Sequence, residues 1–164
     1  MRGGPTIRAL EDVPSQEMWR YEFADGRTAS IWEKWIEITP RYSAFWNRWD
    51  PGALGPDHGH KGDHAVFILQ GEVRCGDRLL KAGDHVMLEW GDTFGPWEAG
   101  PEGCEMYGFI AGDGTPFNGD RGAFERLLAE RSARIVPLPL PENLPPWQDL
   151  SYTQGGVASW DAED

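Results

Sequence analysis

The sequence predicts an all-β fold, and three observations carry that prediction. Glycine and proline supply 21 and 13 of the 164 residues, so turn-forming positions recur throughout the chain. The runs between them are short, alternate apolar with polar residues and are rich in β-branched and aromatic side chains. Links such as Gly76-Asp77 and Ala82-Gly83-Asp84 offer the positive φ that tight turns between antiparallel strands need. Many short strands at regular spacing favour a sandwich or a barrel.

Eight segments have the pattern of strands. They span residues 30–39, 42–49, 58–60, 65–69, 72–75, 78–80, 85–89 and 105–111. We expect them to form the core of one domain covering residues 1–164, with the barrel itself at about residues 30–112.

One helix is predicted after these strands. Asp120 can cap a helix over residues 121–134, in which Phe124, Leu127 and Leu128 recur at helical spacing. The charged residues fall on the remaining face, so the helix is expected to pack outside the barrel. Five prolines between residues 137 and 146 then exclude a regular helix or a central strand. The segment 135–164 is therefore predicted to run extended along the surface, ending in a frayed acidic tail.

Composition excludes several classes of partner. The net charge is −12 at pH 7, whereas nucleic acids and anionic membrane surfaces are bound by basic patches. No run of eighteen apolar residues is present, and the N-terminus has no apolar stretch of a secretory signal. We therefore expect a cytoplasmic protein that binds neither nucleic acid nor membrane. Cys75 and Cys104 are expected to be reduced thiols, because two cysteines are too few for a disulfide framework.

Three of the four histidines lie within seven residues, in the run Gly52-x5-His58-x-His60-x3-His64-x6-Gly71. On a strand, alternate side chains share a face, so His58 and His60 point the same way, and His64 keeps that face if the chain stays extended. Neutral imidazole is the commonest metal ligand near pH 7. A His-x-His pair can also be two ordinary exposed histidines, but the framing glycines favour a metal site.

This run resembles the first motif of the cupin family, Gly-x5-His-x-His-x3-Glu-x6-Gly, with His64 where the family has glutamate. The second family motif, Gly-x5-Pro-x-Gly-x2-His-x3-Asn, is matched in part by GDHVMLEWGDTFGPWE. Its two glycines correspond to Gly83 and Gly91, whereas Glu89, Phe94 and Glu98 replace the proline, histidine and asparagine. The resemblance covers roughly residues 42–112 and implies a double-stranded β-helix barrel related to jelly rolls. A narrower similarity is to small single-domain cupins, such as the sensor half of an anti-sigma factor and a hydroxyacetophenone dioxygenase.

The resemblance implies one divalent metal ion held by His58, His60 and His64. In the family the histidine at the position of Phe94 is the fourth ligand, and a phenyl ring cannot coordinate. A three-histidine site keeps open positions for water or substrate, as Lewis-acid or oxygen chemistry requires. Fe(II) is favoured, with nickel, zinc or manganese as alternatives. Three neutral ligands leave the charge of the ion uncompensated, which favours an anionic enolate as the bound substrate.

Other residues are candidates for contacts with a substrate. The chain has nine tryptophans, and aromatic side chains line both small-molecule pockets and ordinary cores. Trp46 and Arg48 share one face of the strand at residues 42–49, and they would line a substrate pocket if that face is turned inward. The alternating pattern does not say which of the two faces is inward. Phe94, Arg74 and Tyr107 complete the predicted substrate-binding set.

Two functional classes follow. In the first, the protein is an enzyme, a dioxygenase or an isomerase or lyase, that acts on a small ketone or enol while Glu98 or Asp92 moves protons. In the second, it is a ligand-binding or sensor cupin whose metal site is structural, regulatory or lost. One scaffold supports both classes, so fold alone does not choose between them. Exposed strand edges and abundant aromatic residues predict a homodimer in either case.

Overall fold

The computed structural model describes residues 4–139 and 141–147. It is mostly β, with one α-helix, and the predicted fold class is confirmed. After a short 3-10 helix at Leu10–Asp12 come eleven strands and the helix. In chain order these are β1 Gln16–Phe23, β2 Thr28–Ile38, β3 Tyr42–Trp49, β4 Leu54–Gly55, β5 His58–His60, β6 His64–Cys75, β7 Arg78–Lys81, β8 His85–Leu88, β9 Trp97–Ala111, β10 Pro116–Asn118, α1 Arg121–Glu130 and β11 Ala133–Ile135.

The strands are joined by antiparallel pairing. Neighbouring strands follow the order β11-β1-β2-β3-β9-β6-β7, with β4 also paired to β9 and β8 to β6. Strands β5 and β10 form a separate two-stranded sheet. The fifteen-residue strand β9 is the centre of this arrangement, because it pairs with β3, β4 and β6. None of the helical segments in the described part of the chain has the length and hydropathy of a membrane-spanning helix.

Period-two alternation places the core between the inward faces of these strands. Met18, Tyr21, Ile68 and Val73 are almost wholly buried, and together with apolar residues of β2, β3, β8 and β9 they form one large cluster. The hydroxyl of Tyr21 donates a hydrogen bond to the carbonyl of Leu54, which ties β1 to β4 within the core. Strand β1 is thus a full part of the core, although the predicted barrel began only near residue 30.

The eight predicted segments all overlap strands of the structure, and residues 42–49 and 58–60 coincide with β3 and β5. Others were too short, and β1, β4, β10 and β11 were not predicted. Residues 65–69 and 72–75 belong to one strand, β6, which continues through two register shifts around Gly71, a glycine with φ of 71°. Such bulges bend a strand without ending its ladder. Strand β9 begins eight residues before the predicted segment 105–111. The predicted turns at Gly76 and Gly83 are present, with φ of 57° and 97°.

The helix is shorter than predicted. Asp120 caps it as expected, accepting a hydrogen bond from the backbone N–H of Ala123, but the helix ends at Glu130 instead of residue 134. Ser132 has φ of 49°, and β11 then pairs with β1. The backbone groups of residues 133–135 are therefore satisfied by the sheet, and this pairing replaces the last turn of the predicted helix. Phe124 is buried against Trp19, with the two rings edge to face at 6.5 Å.

The proline-rich segment was predicted to lie on the surface, and its described part is instead packed on the barrel. Leu138 and Pro145 are buried. The side chain of Gln16 both donates to the carbonyl of Asn143 and accepts from its N–H, at 2.7 and 2.8 Å. The predicted acidic tail lies outside the described residues.

We expect replacement of Phe124 by alanine to lower the free energy of unfolding by about 3 kcal/mol, because it removes the side chain through which the helix packs on Trp19. Denaturant unfolding measures the change. Glu125→Ala, at the adjacent exposed position, is the matched control and should stay within about 0.5 kcal/mol of the wild type. Equal effects of the two substitutions would show that the helix does not contribute to the core.

Candidate histidine cavity

Two short backbone pairings position the first two histidines. His58 and His60 are the ends of β5, which pairs with β10 so that His60 stands opposite Pro116 and His58 opposite Asn118. On its other side, His58 exchanges two backbone hydrogen bonds with Phe94, at 3.0 and 3.2 Å. The histidine pair is therefore held by hydrogen bonds on both edges of the strand.

Position 59, between His58 and His60, has no space for a side chain and therefore requires glycine. A Cβ at this position would lie 2.2 Å from the backbone oxygen of Asp92 and 2.5 Å from the ring of Phe117. Any side chain there would push β5 away from one of its neighbours. The glycine in the His-x-His pair thus lets the strand pass between two packed surfaces.

The chain bends after His60, so it does not stay extended to His64. Residues 61 and 62 form the bend, and His64 begins the separate strand β6. The three rings nevertheless meet, with ring centroids 5.2 Å apart for His58 and His60 and 4.7 Å apart for His60 and His64. The predicted cluster is present, but the bend and the sheet bring it together.

Backbone carbonyls determine which nitrogen carries the proton in two of the rings. The Nδ1 of His58 lies 3.1 Å from the carbonyl of Pro56, and the Nδ1 of His60 lies 2.7 Å from that of Gly114. A carbonyl only accepts, so each Nδ1 is the donor and Nε2 keeps the lone pair of the neutral ring. In His64 both ring nitrogens are buried and neither has a hydrogen-bond partner.

Burial keeps all three histidines neutral. Loss of hydration lowers the pKa of His58, lowers that of His60 to about 3 and lowers that of His64 well below its usual range. The neighbouring rings add to this, because a charge on one imidazole disfavours a charge on the next. Neutral imidazole is the form that binds a metal ion.

Phe94 occupies the side of the cluster where the family motif has a histidine. Its ring is buried, with the centroid 4.9 Å from that of His58 and 5.2 Å from that of His64. Phe94 was predicted to contact a substrate, and the structure places it in the cavity wall.

The histidines line a cavity of about 70 Å³. Its wall is largely aromatic and comes from β1, β2, β3, β9 and the C-terminal segment. The rings are those of Trp19, Trp35, Phe45, Trp49, Phe94, Trp97 and Trp147. An apolar pocket with a few polar groups is the usual form of a small-molecule site.

Trp147 is a cavity residue that the sequence did not indicate. Its ring packs edge to face on Trp35 and His60, with centroids 5.5 and 6.0 Å apart. A Cβ on Gly114 would lie 2.5 Å from the Trp147 ring, so this glycine makes room for it. The prediction placed residue 147 in a surface segment, and no local pattern identifies the core on which such a segment packs.

Glu33 is the second cavity residue that the prediction missed. It is 7% exposed, and its Oε2 is buried without a hydrogen-bond partner. Loss of hydration raises its pKa to about 7, although the nearby indole of Trp35 lowers it in part. A signal was present in the sequence, since Ile31, Glu33 and Trp35 alternate along one face of β2 and a carboxylate there stands between two apolar residues.

The two predicted acid–base residues lie outside this cavity. The carboxylate of Glu98 forms a two-pronged ion pair with Arg131, at 2.5 and 2.8 Å. It alternates with the buried Trp97 and Ala99, so it points away from the core. The side chain of Asp92 is exposed, and only its backbone lies beside β5. Strand alternation and loop exposure therefore separate both carboxylates from the histidines.

Four of the predicted substrate contacts are also on the outside. On β3 the inward set is Ser43, Phe45, Asn47 and Trp49, so the other set, with Trp46 and Arg48, faces outward. The remaining two, Arg74 and Tyr107, are exposed. Arg48 stacks on Trp32 and forms an ion pair with Asp50. Trp46 contacts Lys34 and stands opposite Tyr107 in the sheet. Arg74 lines a separate surface depression together with Glu98.

The donor chemistry of the cluster fits a divalent metal ion. Three neutral imidazoles are suitable ligands, and the two unpartnered nitrogens of His64 are orphaned polar atoms in an apolar wall. The rings are not arranged as a formed coordination site, since no group of three or more His, Cys, Asp or Glu side chains within residues 4–139 and 141–147 is placed to hold an ion.

Comparisons with known proteins identify the fold. No protein-family model and no curated protein matches the chain. An RmlC-like cupin from Shewanella frigidimarina is 17% identical, with 68% of this chain and 94% of that one covered and a TM-score of 0.50. The polyketide cyclase RemF from Streptomyces resistomycificus is 15% identical, with 66% and 80% covered and a TM-score of 0.52. KdgF from Halomonas sp. is 26% identical, with 49% of this chain and 80% of that one covered and a TM-score of 0.43.

The protein therefore has the cupin fold, a double-stranded β-helix, as the histidine motif implied. At these identities the likeness concerns the fold alone.

Replacement of Gly59 by alanine should disturb the cavity without changing a histidine. The added methyl group meets the backbone of Asp92, which cannot move as a flexible side chain would. We expect a loss of about 2 kcal/mol in the free energy of unfolding, together with displaced imidazole resonances of His58 and His60 in NMR spectra. Ala53→Gly, a change of the same size at a buried site nearby, is the control for a general loss of stability. Unchanged imidazole resonances in the Gly59 variant would contradict the prediction.

Replacement of Glu33 by glutamine should change how stability depends on pH. The folded state holds the proton of Glu33 up to about pH 7, whereas the unfolded chain releases it near 4.5. The free energy of unfolding of the wild type therefore falls as pH rises between these values, by up to roughly 3 kcal/mol, and this loss is absent in Glu33→Gln. Denaturant unfolding from pH 4.5 to 8.5 measures it. The three histidines are common to both proteins and cancel in the difference, so parallel curves would contradict the prediction.

Proposed function

We propose that this protein is a metal-dependent enzyme in which His58, His60 and His64 hold one divalent ion and a small oxygenated organic molecule binds beside it. The observation that carries the proposal is His64, whose two buried nitrogens have no partner and lie next to two other neutral imidazoles. Burying unpartnered polar atoms costs free energy, roughly 1–3 kcal/mol for each group. A bound ion would remove that cost for the nitrogen that carries the lone pair.

The residues around the cluster support this assignment. The carbonyl of Gly114 holds the Nδ1 proton of His60, which orients the ring and presents the Nε2 lone pair as a ligand. The carbonyl of Pro56 does the same for His58. Phe94 and Trp97 exclude water on one side of the cluster, their rings edge to face at 4.8 Å. When bound, a divalent ion supplies Lewis-acid polarisation of a ligand oxygen or a site for dioxygen.

The cavity favours a small substrate with oxygen functions and an apolar body. Its volume of about 70 Å³ admits only a small molecule, and its wall is mostly apolar. A ketone, hydroxyketone or enol meets both conditions, so a dioxygenase or an isomerase or lyase acting on such a compound is the reaction class we propose. Fe(II) is the favoured ion because imidazole ligands with open positions suit it, and nickel, zinc and manganese remain alternatives.

A second candidate is a ligand-binding protein without turnover. Phe94 favours it, because an aromatic ring stands against His58 and His64 where the family motif has a further ligand. In that case the same cavity binds a small molecule, and any metal ion is structural or regulatory.

Metal binding tests the site directly. Protein purified without an affinity tag is loaded separately with Fe(II), Ni(II), Zn(II) and Mn(II), dialysed and analysed by mass spectrometry of the metal. We expect one ion per chain in the wild type, with a rise in melting temperature on loading. In His64→Ala the affinity should fall at least about tenfold. His85→Ala is the matched control, because His85 is exposed on β8.

Three results decide between the candidates. Equal metal content in wild type and His64→Ala would contradict the three-histidine site. Metal-dependent turnover of a ketone or enol, followed by NMR and oxygen uptake and lost in His64→Ala but not in His85→Ala, would support the enzyme. Binding of such compounds without turnover under every metal would support the ligand-binding protein.

A further inference from the structure

A pair of polar side chains faces the cavity from the β2–β3 ladder, away from the histidine motif. Glu33 stands directly opposite Asn47, and both line the cavity. The neighbouring inward pairs in the register are Ile31 with Trp49 and Trp35 with Phe45. The polar pair is thus surrounded by large apolar side chains in a wall of the same cavity.

Both members of the pair have an unsatisfied oxygen. Glu33 is 7% and Asn47 is 6% exposed, and the Oε2 of Glu33 and the Oδ1 of Asn47 are buried without a hydrogen-bond partner. Buried polar atoms in folded proteins nearly always have a partner, either in the protein or in a bound molecule. Glu33 and Asn47 thus carry two such atoms on one ladder, in residues that line the cavity.

Indole donors flank the same position. The indole N–H of Trp49 is buried and makes no hydrogen bond, and that of Trp35 is buried beside the Glu33 carboxyl. Both indoles belong to the pairs that flank Glu33 and Asn47 in the ladder. The cavity wall therefore offers acceptors and a donor side by side, and the oxygens of Glu33 and Asn47 and the N–H of Trp49 lack a partner.

We propose that Glu33 and Asn47, with the indole N–H group of Trp49, form a binding site for a hydroxyl group of the substrate. A hydroxyl group both donates and accepts, so it satisfies a carboxyl or amide oxygen and an indole N–H together. An ammonium group only donates and leaves the Trp49 indole unpaired, and an alkyl group satisfies neither the oxygens nor the indole. Of these three groups, the hydroxyl is the one that matches the wall.

This site belongs to the same cavity as the histidines. The ring of Phe45 contacts both Trp35 and His64, with centroids 4.8 and 5.7 Å away, and Trp147 contacts both Trp35 and His60. The inference rests on the proposed function in one respect: the bound hydroxyl compound is taken to be the substrate of the proposed enzyme. It then narrows the substrate to a compound with one oxygen for the histidine cluster and a separate hydroxyl for Glu33 and Asn47.

Three probes of nearly equal shape test the site: hydroxyacetone, 2-butanone and protonated aminoacetone, which differ only in a terminal hydroxyl, methyl or ammonium group. Each is titrated into metal-free full-length protein dialysed against a chelator, and the indole N–H resonances of Trp35 and Trp49 are followed by NMR. Hydroxyacetone should shift both resonances and bind about tenfold more tightly than either other probe. Because no metal is present, failure of the metal site does not affect the result.

Two variants and one control test whether Glu33 and Asn47 cause the preference for hydroxyacetone. Glu33→Met and Asn47→Leu remove the polar atoms with little change of volume, and each should reduce the preference for hydroxyacetone over 2-butanone to about twofold or less. Glu37→Met, on the same strand but outside the cavity wall, should keep the full preference. Circular dichroism checks that each variant is folded.

Several outcomes would overturn the proposal. Tighter binding of aminoacetone would make the pair a cation site. Equal binding of all three probes, or no shift of the two indole resonances with any of them, would mean that bound water satisfies the pair. If the wild type binds a metal ion but shows no preference for hydroxyacetone, the histidine site stands and this inference fails.

Discussion

Exclusion of water from the interior is the constraint on which the candidate site depends. Polar groups inside an aromatic wall lose hydration, so each must be neutral, hydrogen-bonded or paired with a ligand. His58 and His60 meet this condition through backbone carbonyls, and the low pKa of His60 follows from the same burial. His64, Glu33 and Asn47 each keep a buried atom without a partner. The binding sites that we propose are built on these unpaired atoms.

Backbone pairing and close packing hold this arrangement in place. Strand β5 has only three residues, yet it is paired to β10 on one edge and bridged to Phe94 on the other. Gly59 fits because no side chain could pass the backbone of Asp92. The C-terminal segment adds Trp147, whose ring closes against Trp35 and His60. Residues far apart in sequence therefore determine the shape of the cavity around the histidines.

The two departures from the family motif, His64 and Phe94, change the chemistry of the cluster. With histidine at position 64, where the family motif has glutamate, and phenylalanine at position 94, where it has histidine, the cluster has three neutral imidazoles and an aromatic ring beside them. A carboxylate is still present in the cavity, but it comes from β2 and lies in a different wall. Glu98 and Asp92, the two acid–base residues predicted from the sequence, lie outside this cavity, Glu98 paired with Arg131 and Asp92 exposed.

The all-β class, most of the strands and the helix cap at Asp120 follow from the sequence, because these depend on local alternation and turn residues. The histidine motif also identified His58, His60 and His64 as one cluster, but the bend at residues 61 and 62 and the sheet bring their rings together. The sequence also placed Phe94 beside the histidines through the family motif. The single-domain extent and the homodimer stay predictions. Only the tertiary structure decided which face of β3 is inward, that β11 ends the helix early, and that Glu33, Asn47 and Trp147 share a cavity with the histidines. The physical reason is that burial is set by contacts between strands distant in sequence, and a period of two defines two faces without saying which one the rest of the chain will cover.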